Sequence, residues 1–541
     1  MSRLVALLLL AAVACTPAAT TPVSTAPRPA PAASATAPSP SAAAEDWQLL
    51  DADADRVAGI SLRRAERELL GGRAPLRQVV VAVIDGGVDT AHVDLKSVLW
   101  SNPKEQPGNG RDDDNNGYVD DTFGWNFLGG ATGDVNWDTL ELTRQHAACL
   151  ALPASGVADS TRSRCATLAT EYTTKRGELQ AQSAQVRSVD ELMTRTARTL
   201  RSALGSDSVT AARVEAMVPS SDSVRNARSM FLRLAQAGIS PEAIAEAKEQ
   251  IETQLTYGYN TDFNPRGIVG DNPADLAERR YGNRNVTGPN AKHGSHVAGI
   301  IAAARNGTGI DGIAAGVRIM ALRAVPDGDE RDKDVAAAIR YAADNGAHII
   351  NMSFGKGLSP HKPVVDDAVR YAVGKGVLLV HAAGNDGADL ATEANFPNPT
   401  YATGGRAETW IEVGASSWKG GAQLAAPFSN YGKDLVDVFA PGEDINSTVP
   451  GGGYSRQDGT SMAAPVVSGL AAVLMGHFPS LTAAQVKQII LESVTSYKDA
   501  LVVRPGSQDE KVPFGTLSRT GGVVNAYAAV RAAQAMVRPV P

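Results

Sequence analysis

With 541 residues, the chain is long enough for several domains of roughly 100–200 residues, or for one large domain carrying insertions. Hydrophobic residues make up 43% and charged residues 20%, the balance of a globular chain able to bury a full core. Its 51 Lys+Arg against 58 Asp+Glu leave a net charge of −7, which speaks against a nucleic-acid binder. Three cysteines are too few for a disulfide scaffold or a structural zinc module. Past the N-terminus no apolar run is expected to reach the roughly 18–20 residues of a bilayer span.

In chain order, Arg3 and the apolar residues 4–13 form an export signal too short to span a membrane. The run closes on Ala12-Val13-Ala14-Cys15, which resembles the lipobox of bacterial lipoproteins. That resemblance implies cleavage before Cys15, its lipidation, and attachment to the cell envelope by two or more acyl chains. Ordinary signal cleavage near the same place, with secretion, is the alternative. Residues 16–46 are Ala, Pro, Ser and Thr with almost no bulky apolar side chain, and read as an extended tether.

Ordered structure is expected from Trp47, with residues 47–136 and 258–541 forming one α/β domain. Its strands read as VVVAVI ending at Ile84, RIMALRAV at Val325, HIINM at Met352, GVLLV at Val380 and WIEVG at Gly414. Such runs, apolar without alternation, fit a doubly wound, mostly parallel sheet covered on both faces. Residues 137–257 lack strand signals and read as a large helical insertion. Ser188 with Glu191 fits a capping box, and Ser240-Pro241 an N-cap followed by Pro at the first helical position. Because the insertion leaves after the first strand and returns before His293, both of its ends are expected near the catalytic face.

Three segments carry the chemistry. VAVIDGGVD delivers Asp85 to the C-terminal end of a buried strand, where open parallel sheets bind ligands. HGSHVAGIIAAA places His293 at the start of an Ala- and Ile-rich helix. GTSMAAPVVSGLAAVLM opens a helix, apolar nearly all round, on Ser461. A serine hydroxyl attacks only if an imidazole takes its proton, and the imidazole needs a carboxylate to fix its tautomer. Ser461 at a helix start also keeps a backbone N–H free for an oxyanion, and Gly459 removes bulk there. Asp85 as a strand-end cap and His293 with His296 as a zinc pair are the competing assignments; the second lacks an HExxH glutamate and a third ligand.

In this order the segments resemble the subtilisin family of serine endopeptidases. Further segments share the resemblance: Asn385 in HAAGND resembles the family's side-chain oxyanion donor. Ser353-Phe354-Gly355 resembles the stretch that pairs with substrate backbone, and GGVVNAYAAV at 521–530 its final helix. The resemblance implies the subtilisin type of fold, an acyl-enzyme mechanism on a polypeptide substrate, and no cofactor for the chemistry. A catalytically silent peptide-binding module and an esterase are the alternatives. Gly86 departs from the family's Ser or Thr, and His293 lies 208 residues after Asp85 because of the insertion. The stretch between the tether and the first strand leaves no room for the inhibitory pro-domain that subtilisins often carry.

NGRDDDNNGYVDDTFGW, residues 109–125, reproduces the start of a calcium loop. Asp112, Asp114 and Asn116 would supply side chains and Tyr118 a backbone carbonyl, with Asp120 or Asp121 closing a structural calcium site; a solvated acidic turn is the alternative. Cys149 and Cys165, both in the insertion, are either bridged or free thiols.

Overall fold

The computed structural model describes residues 42–153 and 155–537. Cys15, the export signal and nearly all of the 16–46 tether lie outside the described residues. Two compact units are present: Leu142–Asp262 is one, and the stretches ending at Glu141 and starting at Phe263 form the other.

Among the described residues, the second unit is built on thirteen strands. Nine form one sheet: β1 Val80–Asp85, β2 Gly124–Asn126, β3 Arg318–Arg323, β4 Ile349–Met352, β5 Leu378–Ala382, β6 Trp410–Ser416, β7 Val438–Pro441, β10 Thr495–Ser496 and β13 Gly522–Val523. Two antiparallel hairpins use β8 Ile445–Val449 with β9 Gly453–Gln457, and β11 Leu501–Val503 with β12 Lys511–Pro513. Strand order is β10-β13-β7-β6-β5-β4-β1-β3-β2, parallel throughout except for the edge pair β10–β13.

Both faces of the sheet are covered, which explains the unbroken apolar runs. In β1, Val81 and Val83 join the core beneath helices Lys292–Ala302 and Thr460–His477. Ala82 and Ile84 point the other way, into the core beneath helices Asp332–Asp344 and Lys362–Gly374. Each face needs apolar side chains, so neither set of alternate positions in the body of β1 is left for polar residues.

The strand ends shift slightly from the sequence reading. β3 stops at Arg323 rather than Val325, while β5 and β6 run on to Ala382 and Ser416. Thr460–His477 is, among the described residues, the one helix long and apolar enough to cross a bilayer, but it is 94% buried within the protein. Its apolar surface on all sides is that of a central core helix.

The Leu142–Asp262 unit is helical. A 46-residue helix, Asp159–Leu204, packs against helices Asp222–Gln236 and Pro241–Thr253 through Leu179, Val186, Met193, Phe231, Ile244 and Ile251. Ser240 caps the last of these, accepting from the Ala243 amide, with Pro241 at its first position. Ser188 is not a helix start. It lies inside the long helix and its hydroxyl donates to the Ala184 carbonyl at 3.0 Å, the back-bonding open to a serine in mid-helix. Cys149 and Cys165 form a disulfide.

Candidate active site

In the sheet, the strand order reverses direction between β1 and β4, the switch point at which open α/β sheets bind ligands at their C-terminal ends. Asp85 ends β1 and Ser353 directly follows β4. Asp85 is 2% exposed, and its Oδ1 accepts the Gly86 amide at 2.7 Å. His293, second residue of its helix, turns Nδ1 to both carboxylate oxygens, at 2.9 and 3.0 Å. Gly294 permits this approach: a Cβ there would lie 2.2 Å from the Gly87 carbonyl and 3.0 Å from Asp85. Burial draws the His293 pKa down, but the charge and hydrogen bond of Asp85, helped by the Asp327 charge, outweigh it and leave the imidazole raised above its ordinary value.

Ser461 lies in the first turn of Thr460–His477. That turn uses its amides unevenly: Thr460 N–H donates to Asn385 Oδ1 at 2.8 Å, and those of Met462 and Ala463 go to the Gly459 carbonyl. The Ser461 N–H has no such bond among the described residues. Thr460 Oγ1 also donates to Asn385 Oδ1, at 3.0 Å, and accepts the Gly384 amide. With its oxygen held on one side, Asn385 has its Nδ2 turned to the other. A Cβ added at Gly459 would stand 3.4 Å from Ser461 N and 3.6 Å from Asn385 Nδ2. Two N–H donors therefore flank one point, open because residue 459 has no side chain.

The Ser461 hydroxyl donates to the Ser353 carbonyl at 3.0 Å. In return, Ser353 Oγ donates to the Ser461 carbonyl at 2.9 Å. Pro465 explains that vacancy: four residues on, where an amide would normally bond the Ser461 carbonyl, proline has none. Ser353 Oγ is itself held by Asn351 Nδ2 at 2.9 Å, and Asn351 Oδ1 accepts from Ser468 Oγ at 2.8 Å. Thr460, Asn351 and Ser468, all fully buried, escaped the sequence reading; for Asn351 and Ser468 a polar residue inside an apolar run was the one signal.

Beyond Ser353, Phe354 is buried and stands edge-on to His381, while Gly355 is exposed. Neither residue's backbone is paired among the described residues, whereas Lys356 forms an antiparallel bridge to Phe396.

The other candidates separate. His296 Nε2 bonds the Ser455 carbonyl at 2.9 Å, and burial lowers its pKa to about 4, so it is a packed neutral histidine and not half of a zinc pair. Two aspartates that follow β1 in the chain are occupied elsewhere and do not rival Asp85: Asp89 accepts the amides of Ala91 and Gly451, and Asp94 is engaged by Asn306 and Tyr454.

In the acidic loop, Asp112 and Asp114 converge with Glu105, which sequence spacing gave no reason to include. Asp121 is directed elsewhere: it is fully buried and accepts from Asn102, Asn116 and the Tyr341 hydroxyl. Desolvation raises its pKa to about 6. The Asn116 side chain is spent on Asp121 and the Tyr118 amide, and the Tyr118 hydroxyl donates to the Arg279 carbonyl. Asp121 thus anchors the loop to the core instead of closing the cage expected from the sequence.

A profile of the subtilase family matches residues 156–515, which include His293, Ser353, Asn385 and Ser461 but begin after Asp85. Over 184 residues the chain is 46% identical to the thermophilic serine proteinase of Bacillus sp. (strain AK1), covering 34% of this chain and 42% of that one. It is 35% identical over 251 residues to alkaline elastase YaB of Bacillus sp. (strain YaB), covering 46% and 58%. These matches thus span less than two thirds of either relative. Over 240 residues it is 36% identical to subtilisin of Bacillus pumilus, covering 44% of this chain and 78% of that one. A solved structure of a protease from Pseudoalteromonas arctica PAMC 21717 aligns at 19% identity with a TM-score of 0.46, covering 90% of this chain and 97% of that one.

Proposed function

The chain belongs to the subtilase family, and from that premise we propose that it is a serine endopeptidase acting on polypeptides through an acyl-enzyme. The observation that carries the reading is the pair of donors, Ser461 N–H and Asn385 Nδ2, flanking the open side of Gly459 beside an Asp85–His293 pair. Preorganised donors of this kind stabilise the charge that develops on a carbonyl oxygen under attack.

The substrate backbone pairs along Ser353, Phe354 and Gly355 as an added strand, using the unpaired backbone there. Ser461 Oγ leaves the Ser353 carbonyl, turns about its Cα–Cβ bond and attacks the scissile carbonyl carbon. Its proton passes to His293 Nε2, the nitrogen left over when Nδ1 is held by Asp85. Collapse of the tetrahedral adduct breaks the C–N bond, and the departing amine takes the proton from His293. Water, deprotonated by the same nitrogen, then attacks the acyl-enzyme and releases the carboxylic acid. Asp85 fixes the tautomer and offsets the imidazolium charge. No cofactor takes part in these steps.

Export to the cell envelope, with a lipid anchor at Cys15, completes the reading. The residues of the N-terminal signal support it, as does the Cys149–Cys165 disulfide, a bond that persists in oxidising compartments.

A fluorophosphonate probe tests the assignment. The parent chain should be labelled and should digest casein, and Ser461→Ala should do neither while keeping its far-ultraviolet circular dichroism. A folded Ser461→Ala chain that still digests casein would overturn the reading.

A further inference from the structure

We propose that Lys356 is a positioning residue of the cleft, one that fixes the 353–355 backbone for extended polypeptide substrates; the inference rests on the peptidase reading. A strand with which a substrate is to pair must keep its own N–H and C=O groups unspent. It therefore lacks the bonds that hold an ordinary strand in place. The backbone of Phe354 and Gly355 is in that state among the described residues, and it is held from its two ends. At Ser353 the hold is the pair of bonds exchanged with Ser461. At Lys356 it is the bridge to Phe396, whose two N–H to carbonyl bonds measure 3.0 and 2.9 Å.

Phe396 belongs to the long connection between β5 and β6, so that bridge ties one loop to another. The Lys356 side chain, 1% exposed, ties the edge to the fold. Its ammonium group lies 2.7 Å from the Glu330 carbonyl, 2.9 Å from Asp332 Oδ1 and 3.2 Å from Glu141 Oε2. Asp332 and Glu141 are the first residues of helices Asp332–Asp344 and Glu141–Leu150, so Lys356 fastens the substrate edge to two helix starts. Asp332 is steadied in turn by the Ser359 hydroxyl at 3.0 Å and the His361 amide at 2.8 Å. The surroundings are dry: desolvation raises the Glu330 pKa to about 8, although the Lys356 charge draws it down. A cation and carboxylates in such a place hold one another firmly, and removing one partner is costly. From the sequence, a lysine after Gly355 reads as a surface residue; its burial among carboxylates is what assigns it a role.

The test compares two nitrophenyl esters of the same amino acid in the full chain, one extended by a peptide that can pair with residues 353–355 and one without it. Fluorophosphonate labelling, which needs Ser461 and His293 but no paired strand, follows the reaction centre separately. Lys356→Met removes the charge at nearly constant length. It should lower kcat/KM for the extended ester about tenfold or more, chiefly through KM, while the short ester and the labelling rate stay close to the parent's. Lys356→Arg keeps the charge and should recover part of the loss. Glu141→Gln is isosteric and leaves Lys356 beside Asp332, so it should shift the ratio of the two esters in the same direction by a smaller factor. It keeps the inference testable should Lys356→Met fail to fold. An unchanged ratio in every variant that folds would overturn the inference. Equal losses on both esters, the mark of a general loosening, would also overturn it. A parent chain that fluorophosphonate does not label would instead overturn the peptidase reading, and the inference with it.

Discussion

The proposed oxyanion site depends on the missing side chain at Gly459 as much as on the groups present. A methyl group there would meet Ser461 N at 3.4 Å and Asn385 Nδ2 at 3.6 Å, filling the space a substrate oxygen needs. Gly459→Ala should therefore lower kcat about 10²-fold or more, the scale of losing an oxyanion donor, while the chain stays folded. Steady-state kinetics on a small chromogenic peptide, beside a thermal melt, would check it; undiminished kcat in a folded variant would contradict the geometry. The imidazole supplies a second test. In the proposed mechanism His293 must be neutral, so the rate should rise with pH through a midpoint above the ordinary histidine value of about 6.5. Asp327 is exposed and adds negative charge near this ring, so Asp327→Asn should move the midpoint of kcat/KM to lower pH by a few tenths of a unit, less at high salt. A midpoint that moves to higher pH would contradict the sign. The places of Asp85, His293 and Ser461 could be read from the sequence because each stands at a strand end or helix start. Thr460, Asn351 and Ser468 could not, since their importance lies in partners 75 to 117 residues away.

At the scale of elements, the strands were legible because a sheet covered on both faces requires unbroken apolar runs. β2, β7, β10 and β13 have two to four residues each and no long run of this kind, and they escaped. The long helix defeated a local rule in another way: Ser188 and Glu191 satisfy a capping pattern, but the apolar face formed by Leu179, Val186 and Met193 continues straight through it. Tertiary burial outweighs a serine's preference for caps. The Cys149–Cys165 bond ties helix Glu141–Leu150 to the start of that long helix across sixteen residues. Closing such a loop restricts the unfolded chain by about 3 kcal/mol. Replacing both cysteines with serine should speed amide exchange in Glu141–Leu150 and leave kcat on small peptides unchanged. Exchange as slow as in the parent would mean that packing alone holds the helix.

For the whole molecule, the two units differ in what they need from each other. The core clusters on both faces of the sheet draw all their residues from outside Leu142–Asp262, while the helical unit buries its own apolar stripe. The chain is also fastened within the sheet unit on either side of the helical unit. The Glu141 amide donates to Asp329 at 2.7 Å, and Glu141 Oε2 pairs with Lys356 at 3.2 Å. On the return, buried Arg266 pairs with Asp271 at 2.5 Å and Asp334 at 2.7 Å, and Lys333 joins Asp271 at 2.7 Å. Buried charges of this kind are costly to strand, so these attachments should hold after excision. Replacing residues 142–262 with a short Gly/Ser linker should give a folded chain whose kcat/KM on small chromogenic peptides stays within about threefold of the parent. Any role of the helical unit would then appear only with macromolecular substrates. If it restricts access, the trimmed enzyme gains activity on bulky folded proteins; if it recruits a substrate, cleavage of that substrate alone falls. A trimmed chain that folds but no longer cleaves small peptides would show that the sheet unit is not self-sufficient as a catalyst.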